Sequence, residues 1–493
     1  MFANIFAHLD LAELMAVESL GAVAGQQARY VFKRRDGAQV RQQIFRQIRL
    51  GNRQIFHFCR DRLGELNQLI DPKSGRTLLI VAVRYKHVAV VDKLLKLPGV
   101  NINAADRYGF CALHYAVIHG QAQILSRLLS ESALDVAAQN ANGSNVMHCA
   151  IQGGHKAILR RLLEIPVIDP NAPDHAGMTA LHYAALNGQM DMLEIILTAQ
   201  GLDLNARDRD GSSPLHYAVC SGRTPALEKL LGTPGIDVNA LDRWGSPPLH
   251  YAVSDEFMPM IRRLLVATGI DVNIVDATGQ TALHLAALSR GAKAANLLLQ
   301  IPGINVNAVG PHHRTPLIYA IKEGHIGMAN YLLDRPDLAC NIADGEGWTP
   351  LLCAITGEHW AIALRLLQLP GINVNAAQQE GWIALHFAAI KGHDRLVGQL
   401  LAMPGIDINA READGWTALH CAAINGFTGT VEQLLGMPAM DIDATDNYHR
   451  TALYYARLSG HKQTIRMIQR TCGLRGSQNG TAHDESAGHC GSA

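Results

Sequence analysis

The chain has 493 residues, with 43 Lys and Arg against 43 Asp and Glu. At roughly 100–200 residues per domain this length implies two to four domains or one repeat array, and zero formal charge argues against a surface built throughout for nucleic acid. A composition of 48% apolar and 17% charged residues belongs to a folded chain. No apolar run approaches the roughly 18 residues of a membrane span. The opening lacks a basic start and is cut by Asp10, unlike a secretory signal. Nine cysteines without a CxxC pair suit a reducing compartment.

Residues 1–35 carry Ile5, Phe6, Leu9, Leu11, Leu14, Val17 and Leu20 at helix-like spacing, broken at Leu9-Asp10-Leu11. The stretch Ile5-Phe-Ala-His-Leu-Asp-Leu-Ala-Glu-Leu-Met-Ala-Val-Glu-Ser-Leu20 is similar to the middle of an F-box. The Leu-Pro-x-Glu opening of that family is absent. The resemblance implies that Ile5, Phe6, Leu9, Leu11, Leu14 and Val17 dock on a Skp-type adaptor of a cullin–RING ubiquitin ligase. The alternative is an amphipathic helical cap for the segment that follows, which would not need the Leu-Asp-Leu break.

Residues 36–70 read as a basic helical linker and a cap. Between Arg29 and Arg62 lie ten Lys and Arg against Asp36 and Asp61. Such a run is a solvated helix face, a nuclear-import signal or a phosphate-binding face. Ile55, Phe56, Phe58, Leu63, Leu66, Leu69 and Ile70 predict a helix over 55–70.

From Thr77 the chain repeats every 34 residues. The steps land on Thr77, Cys111, Asn145, Thr179, Ser213, Pro247, Thr281, Thr315, Thr349, Ile383, Thr417 and Thr451. Five residues after each of these twelve anchors stands Ala, and two after stands Leu, except at Met147. Two before, the residue is Gly in ten repeats, with His313 and His449 the exceptions. Gly there suits a turn needing positive φ, the anchor Thr or Ser can cap a helix, and Ala permits close helix approach. A second helix with paired Leu, as at Leu128-Leu129, ends near a proline such as Pro98 or Pro234. An extended Ile-Asp-Val-Asn-Ala segment leads to the next turn.

Thr179-Ala-Leu-His-Tyr-Ala184, Ser213-Pro-Leu-His-Tyr-Ala218 and Thr281-Ala-Leu-His-Leu-Ala286 resemble the ankyrin repeat signature. The resemblance covers residues 71–471 and implies an all-α fold, a solenoid of helix pairs with protruding β-turn fingers. Gln469, Arg466 and Arg470 make the last repeat a polar cap. Residues 472–493, rich in Gly, Ser and Ala, read as a disordered tail.

Catalytic chemistry is not legible. Eight histidines, His114, His148, His182, His216, His250, His284, His386 and His420, share one repeat position. There the resemblance implies a structural imidazole joining the turn to neighbouring backbone. Cys149, Cys353 and Cys421 sit repeats apart and cannot share a metal. No phosphate loop, GxSxG or HExxH occurs. We therefore expect no enzyme and no cofactor.

Immediately before three consecutive anchors stand Trp348, Trp382 and Trp416, and two residues before these Glu346, Glu380 and Asp414. This ladder reads either as an exposed interface for a basic protein target or as packing between fingers. The resemblances together imply an adaptor that presents a target to a ubiquitin ligase, a layout found in eukaryotes and among effectors of intracellular bacteria. Without the F-box reading, the chain is a plain ankyrin scaffold. The expected location is cytoplasmic, the host cytosol for an effector, or nuclear if the basic run is an import signal.

Overall fold

The computed structural model describes residues 10–18, 26, 28–29, 37–59, 66, 68–289 and 291–479. Among these, the elements are helices joined by turns, with two isolated antiparallel bridges, Ile70 with Thr77 and Thr445 with Thr451. The chain divides into an N-terminal body, residues 1–243, and a C-terminal body, residues 244–493. Each is a stack of the 34-residue repeats.

Among the described residues, three helices with full bounds precede the repeats: α1 (Leu11–Glu18), α2 (Gly37–Arg49) and α3 (Gln54–Phe58). The Leu9-Asp10-Leu11 break is a helix start. Asp10 Oδ1 accepts the Glu13 N–H at 2.9 Å while Glu13 Oε2 accepts the Asp10 N–H at 2.6 Å, a reciprocal capping box. A helix start at this break occurs under either reading of the segment. Leu11 and Leu14 are buried where α1 packs on α2 and α3. Ile5, Phe6 and Leu9 lie outside the described residues, and Val17 is described in its backbone only. Of the helix expected over 55–70, α3 contains the buried Ile55, Phe56 and Phe58, Leu66 is helical and buried, and Ile70 is exposed and paired in a bridge. Leu63 is outside the described residues.

Repeat 1 begins with α4 (Leu78–Arg84) and α5 (Val88–Leu95), and later repeats copy this pair. The first helix starts after the anchor, which is extended: Thr77 has φ −78° and ψ 167°, and its hydroxyl accepts the Ile80 N–H. The Ala five residues on is fully buried in all twelve repeats, where first helices of successive repeats pack together. No larger side chain fits such close approach without moving a helix. The second helices close the back of each repeat with a buried apolar stripe, such as Ile124, Leu125 and Leu128.

The last helix (Lys462–Asn479) runs past the boundary expected at 471, and residues 480–493 are not described. Arg466, Gln469 and Arg470 are exposed on it, as a terminal cap requires. The first helix of that repeat is less polar, since Leu458 is 67% and Tyr454 45% exposed.

Candidate binding surface

The fingers are built from their carboxylates outward. Five residues before the anchor, Asp174 is buried, and its Oδ1 accepts the Ala176 and Met178 N–H groups at 2.9 and 3.0 Å. Asp106, Asp208, Asp276, Asp344 and Asp446 do the same in their own fingers. The glycine between is left-handed, with φ 84° at Gly177. His313 and His449, lacking that freedom, are nonetheless held at φ 61°. Successive fingers are then tied by one backbone bond, as from Arg209 N to Ala176 O at 2.9 Å and Gln379 N to Glu346 O at 3.1 Å. Pro311 has no N–H to give, so its finger lacks this tie to the preceding one.

The second carboxylate oxygen latches the finger to the helix behind it. Tyr115, Tyr183, Tyr217 and Tyr455 donate their hydroxyls to Asp106, Asp174, Asp208 and Asp446 at 2.6–2.7 Å. Burial pushes Asp446 up, yet the Tyr455, Arg450 and Tyr448 donors outweigh it and hold the carboxyl at about 2. Tyr183 is pushed up to about 12, by burial and then by Asp174. The nine-residue Asp–Tyr spacing was present in the sequence, but its meaning depends on the turn bringing both ends together.

Two histidine ladders join the repeats. Except at His250, whose anchor Pro247 has no N–H, Nδ1 at the shared position accepts the anchor N–H, at 3.0 Å for His182. This leaves the proton on Nε2, which faces a carbonyl of the next repeat, Ser212 O at 3.0 Å. Seven residues on, a second set reaches backwards: His155 to Ile118 O at 2.9 Å, His325 to Ala287 O at 2.8 Å and His461 to Ile424 O at 2.9 Å. Sequence reasoning read the first ladder and missed the second. Burial holds His114, His148, His182, His284, His386 and His420 below the ordinary histidine range. The buried thiols of Cys149 and Cys353 are pushed up to about 12 by desolvation, so they stay protonated and poorly nucleophilic.

The three tryptophan repeats lack the tyrosine, with Cys353, Phe387 and Cys421 in its place, as do three repeats without a tryptophan there, which carry Val81, Cys149 and Leu285. The three indoles are half-buried, where the sequence reading expected exposed aromatics. Trp348 and Trp382 both lie on Phe387, ring centroids 5.4 and 5.3 Å away, and Trp416 lies 4.5 Å from Tyr455. Trp382 thus rests on the first helix of its own repeat, and Trp348 and Trp416 on that of the repeat that follows. Lys322 completes the first rung, with Nζ 2.8 Å from Asp344 and 5.9 Å from the Trp348 ring. Burial pushes Asp344 up, but this donor and the Trp348 and Glu346 N–H groups hold it below the usual carboxylate range. Glu346, Glu380 and Asp414 are exposed at the tips. The structure thus brings together three carboxylates over a shelf of partly covered indoles.

Among the described residues, no three His, Cys, Asp or Glu side chains converge as metal ligands, and no helix is long and apolar enough to cross a membrane. No curated protein matches the chain significantly. The ankyrin repeat domain of Bcl-3, a unique member of the IkappaB protein family, is 29% identical over 43% of this chain and 94% of its own, with a TM-score of 0.40. The family model for ankyrin repeats in three copies matches overlapping segments: 51–140, 131–208, 147–242, 215–310, 249–344, 309–378, 338–412 and 385–475. With its fingers, helix pairs and matched repeats covering most of its length, the chain belongs to the ankyrin repeat family.

Proposed function

We propose that the chain is a non-enzymatic protein-recognition scaffold and that the fingers bearing Glu346, Glu380 and Asp414 hold a target segment rich in Lys or Arg. The observation that carries this is the placement of three exposed carboxylates on fingers tied tip to tip by backbone bonds. Trp348, Trp382 and Trp416 supply an apolar shelf behind them. Fixed charges of one sign steer an oppositely charged partner and set its register. Affinity capture with the Glu346→Lys/Glu380→Lys/Asp414→Lys variant beside the wild-type chain tests it. A target held by the wild type and lost by the variant supports the reading, and an identical captured set contradicts it.

The finer function is an adaptor role, in which the F-box-like N-terminus links the bound target to a Skp-type adaptor and a cullin–RING ligase in the cytosol. The resemblance of Ile5 to Leu20 supports it. Burial of Leu11 and Leu14 supports the second reading, a scaffold whose α1 closes the first repeat. Direct binding of the full chain to a purified Skp-type adaptor separates the two: a complex abolished by Leu9→Ala establishes the adaptor, and no complex leaves the scaffold.

A further inference from the structure

The chain is neutral overall, yet its positive charge is concentrated. Between Gly37 and Arg107 stand thirteen Lys and Arg against five Asp and Glu. The fold gathers part of this excess on the face made by the first two fingers and the first helices behind them. Arg107 N donates to Ser74 O at 3.1 Å, placing the exposed Lys73 and Arg107 on adjoining fingers. The Arg107 guanidinium also donates to Pro72 O. Arg76 bonds the Tyr115 hydroxyl at 3.1 Å, and the Tyr115 ring stacks on His119 at 6.0 Å. His119 is held below the ordinary histidine range by burial and then by the charges of Arg84 and Lys86. One face therefore carries Lys73 and Arg107 at its finger end and Arg84 and Lys86 at its helix end. Tyr108, 64% exposed, and Tyr85, 47% exposed, stand among them.

The three described acids of this stretch each have partners. Asp71 accepts the Ser74 hydroxyl and the Lys73 N–H. Asp106 is buried under Arg76 and Tyr115, and Asp92 pairs with Arg127. Lys86 is one of three non-glycine residues at its repeat position among the described residues, with Glu256 and Glu358. Its position holds a left-handed backbone, φ 63°, which Gly120, Gly154, Gly188, Gly324, Gly392, Gly426 and Gly460 occupy in other repeats. A lysine there is strained for no packing gain, since it is exposed.

We propose that this face of repeats 1 and 2 binds an extended acidic polypeptide segment with Asp or Glu at about every third residue. Adjacent repeats pack at about 10 Å, the spacing of helices in contact, and three residues of an extended chain span about 10 Å. Exposed Tyr and Arg side chains are the residue types that anchor such interfaces. A polyphosphate backbone is the poorer fit, because the positive charge ends with these repeats while nucleic-acid affinity grows with every neutralised phosphate.

The test uses the full chain and a fluorescein-labelled peptide with glutamate at every third position, titrated by anisotropy at two salt concentrations beside an oligothymidylate of equal charge. The peptide is expected to bind, more weakly at higher salt. Lys73→Glu/Arg107→Glu should weaken it about tenfold or more with an unchanged melting curve. Lys86→Gly should weaken it while raising the melting temperature, which separates lost charge from lost fold. Glu380→Lys in the other body should leave it unchanged, so this proposal and the acidic-finger reading fail independently. No peptide binding, binding indifferent to the double reversal, or tighter binding of the oligothymidylate would overturn the proposal.

Discussion

Gly, Asp, Tyr and His act at single repeat positions, and their energetics are local. His449 holds a left-handed backbone that a glycine adopts without the Cβ clash. His449→Gly should raise stability by about 1 kcal/mol after the entropy cost of glycine in the unfolded chain is subtracted. The denaturation midpoint checks this, and a lower midpoint would show that the His449 side chain makes compensating contacts. Tyr183→Phe deletes the hydroxyl that faces the buried Asp174 at 2.7 Å. A hydrogen bond to a charged group supplies about 2 kcal/mol, so this variant should lose that much while keeping its helical circular dichroism. An unaltered midpoint would mean that water replaces the hydroxyl. The anchors, Ala and turn glycines were legible because each has one local meaning. The Asp–Tyr latch was not, because neither residue reveals a partner until the finger folds back over its helix.

Helices and loops join their neighbours through side chains that bond backbone of the next repeat. The Asn of the Ile-Asp-Val-Asn segment is the clearest case. Eight of them, from Asn103 to Asn409, donate Nδ2 to a carbonyl 30 residues on at 2.7–2.8 Å. Their Oδ1 atoms accept an N–H 32 residues on at 2.7–2.9 Å. The sequence showed an extended segment there but not this ladder, whose partners are backbone groups and carry no residue signature. The first helix, α1, is held differently, by Leu11 and Leu14. If α1 is a cap, Leu14→Ala leaves a cavity and should cost about 2–5 kcal/mol of the stability of the first repeats. Hydrogen exchange of α2 and α4 measures this. Undisturbed exchange would return Leu14 to the role of a docking residue.

At the scale of the whole molecule, the buried histidines make stability depend on pH. Six have folded pKa values lowered from 6.5 by burial. Above that pH, folded and unfolded rings are both neutral and the linkage vanishes. Below it the unfolded chain takes up protons that the folded chain refuses. Stability then falls with pH, each ring adding about 1.4 kcal/mol per pH unit until its folded pKa is reached. The melting temperature should therefore drop between pH 7 and pH 5, and a flat profile would show that the folded and unfolded chains take up protons equally over this range. The two proposed recognition surfaces lie in different bodies, with exposed carboxylates on the fingers of Glu346, Glu380 and Asp414 and exposed cations on those of Lys73 and Arg107. The indoles, proposed as a shelf for the target, are also packing residues. Trp382→Ala removes a ring in contact with Phe387 and His386 and so lowers stability, which obscures its part in binding. Glu380→Lys is the cleaner probe, because the exposed carboxylate can be reversed without touching the shelf. The most direct measurement is the association rate and affinity of a captured target for this variant and the wild type across a salt series, beside thermal unfolding. An affinity about tenfold weaker, a slower and less salt-dependent association and an unchanged melting temperature are expected. Equal affinity at every salt concentration would contradict recognition through the acidic fingers.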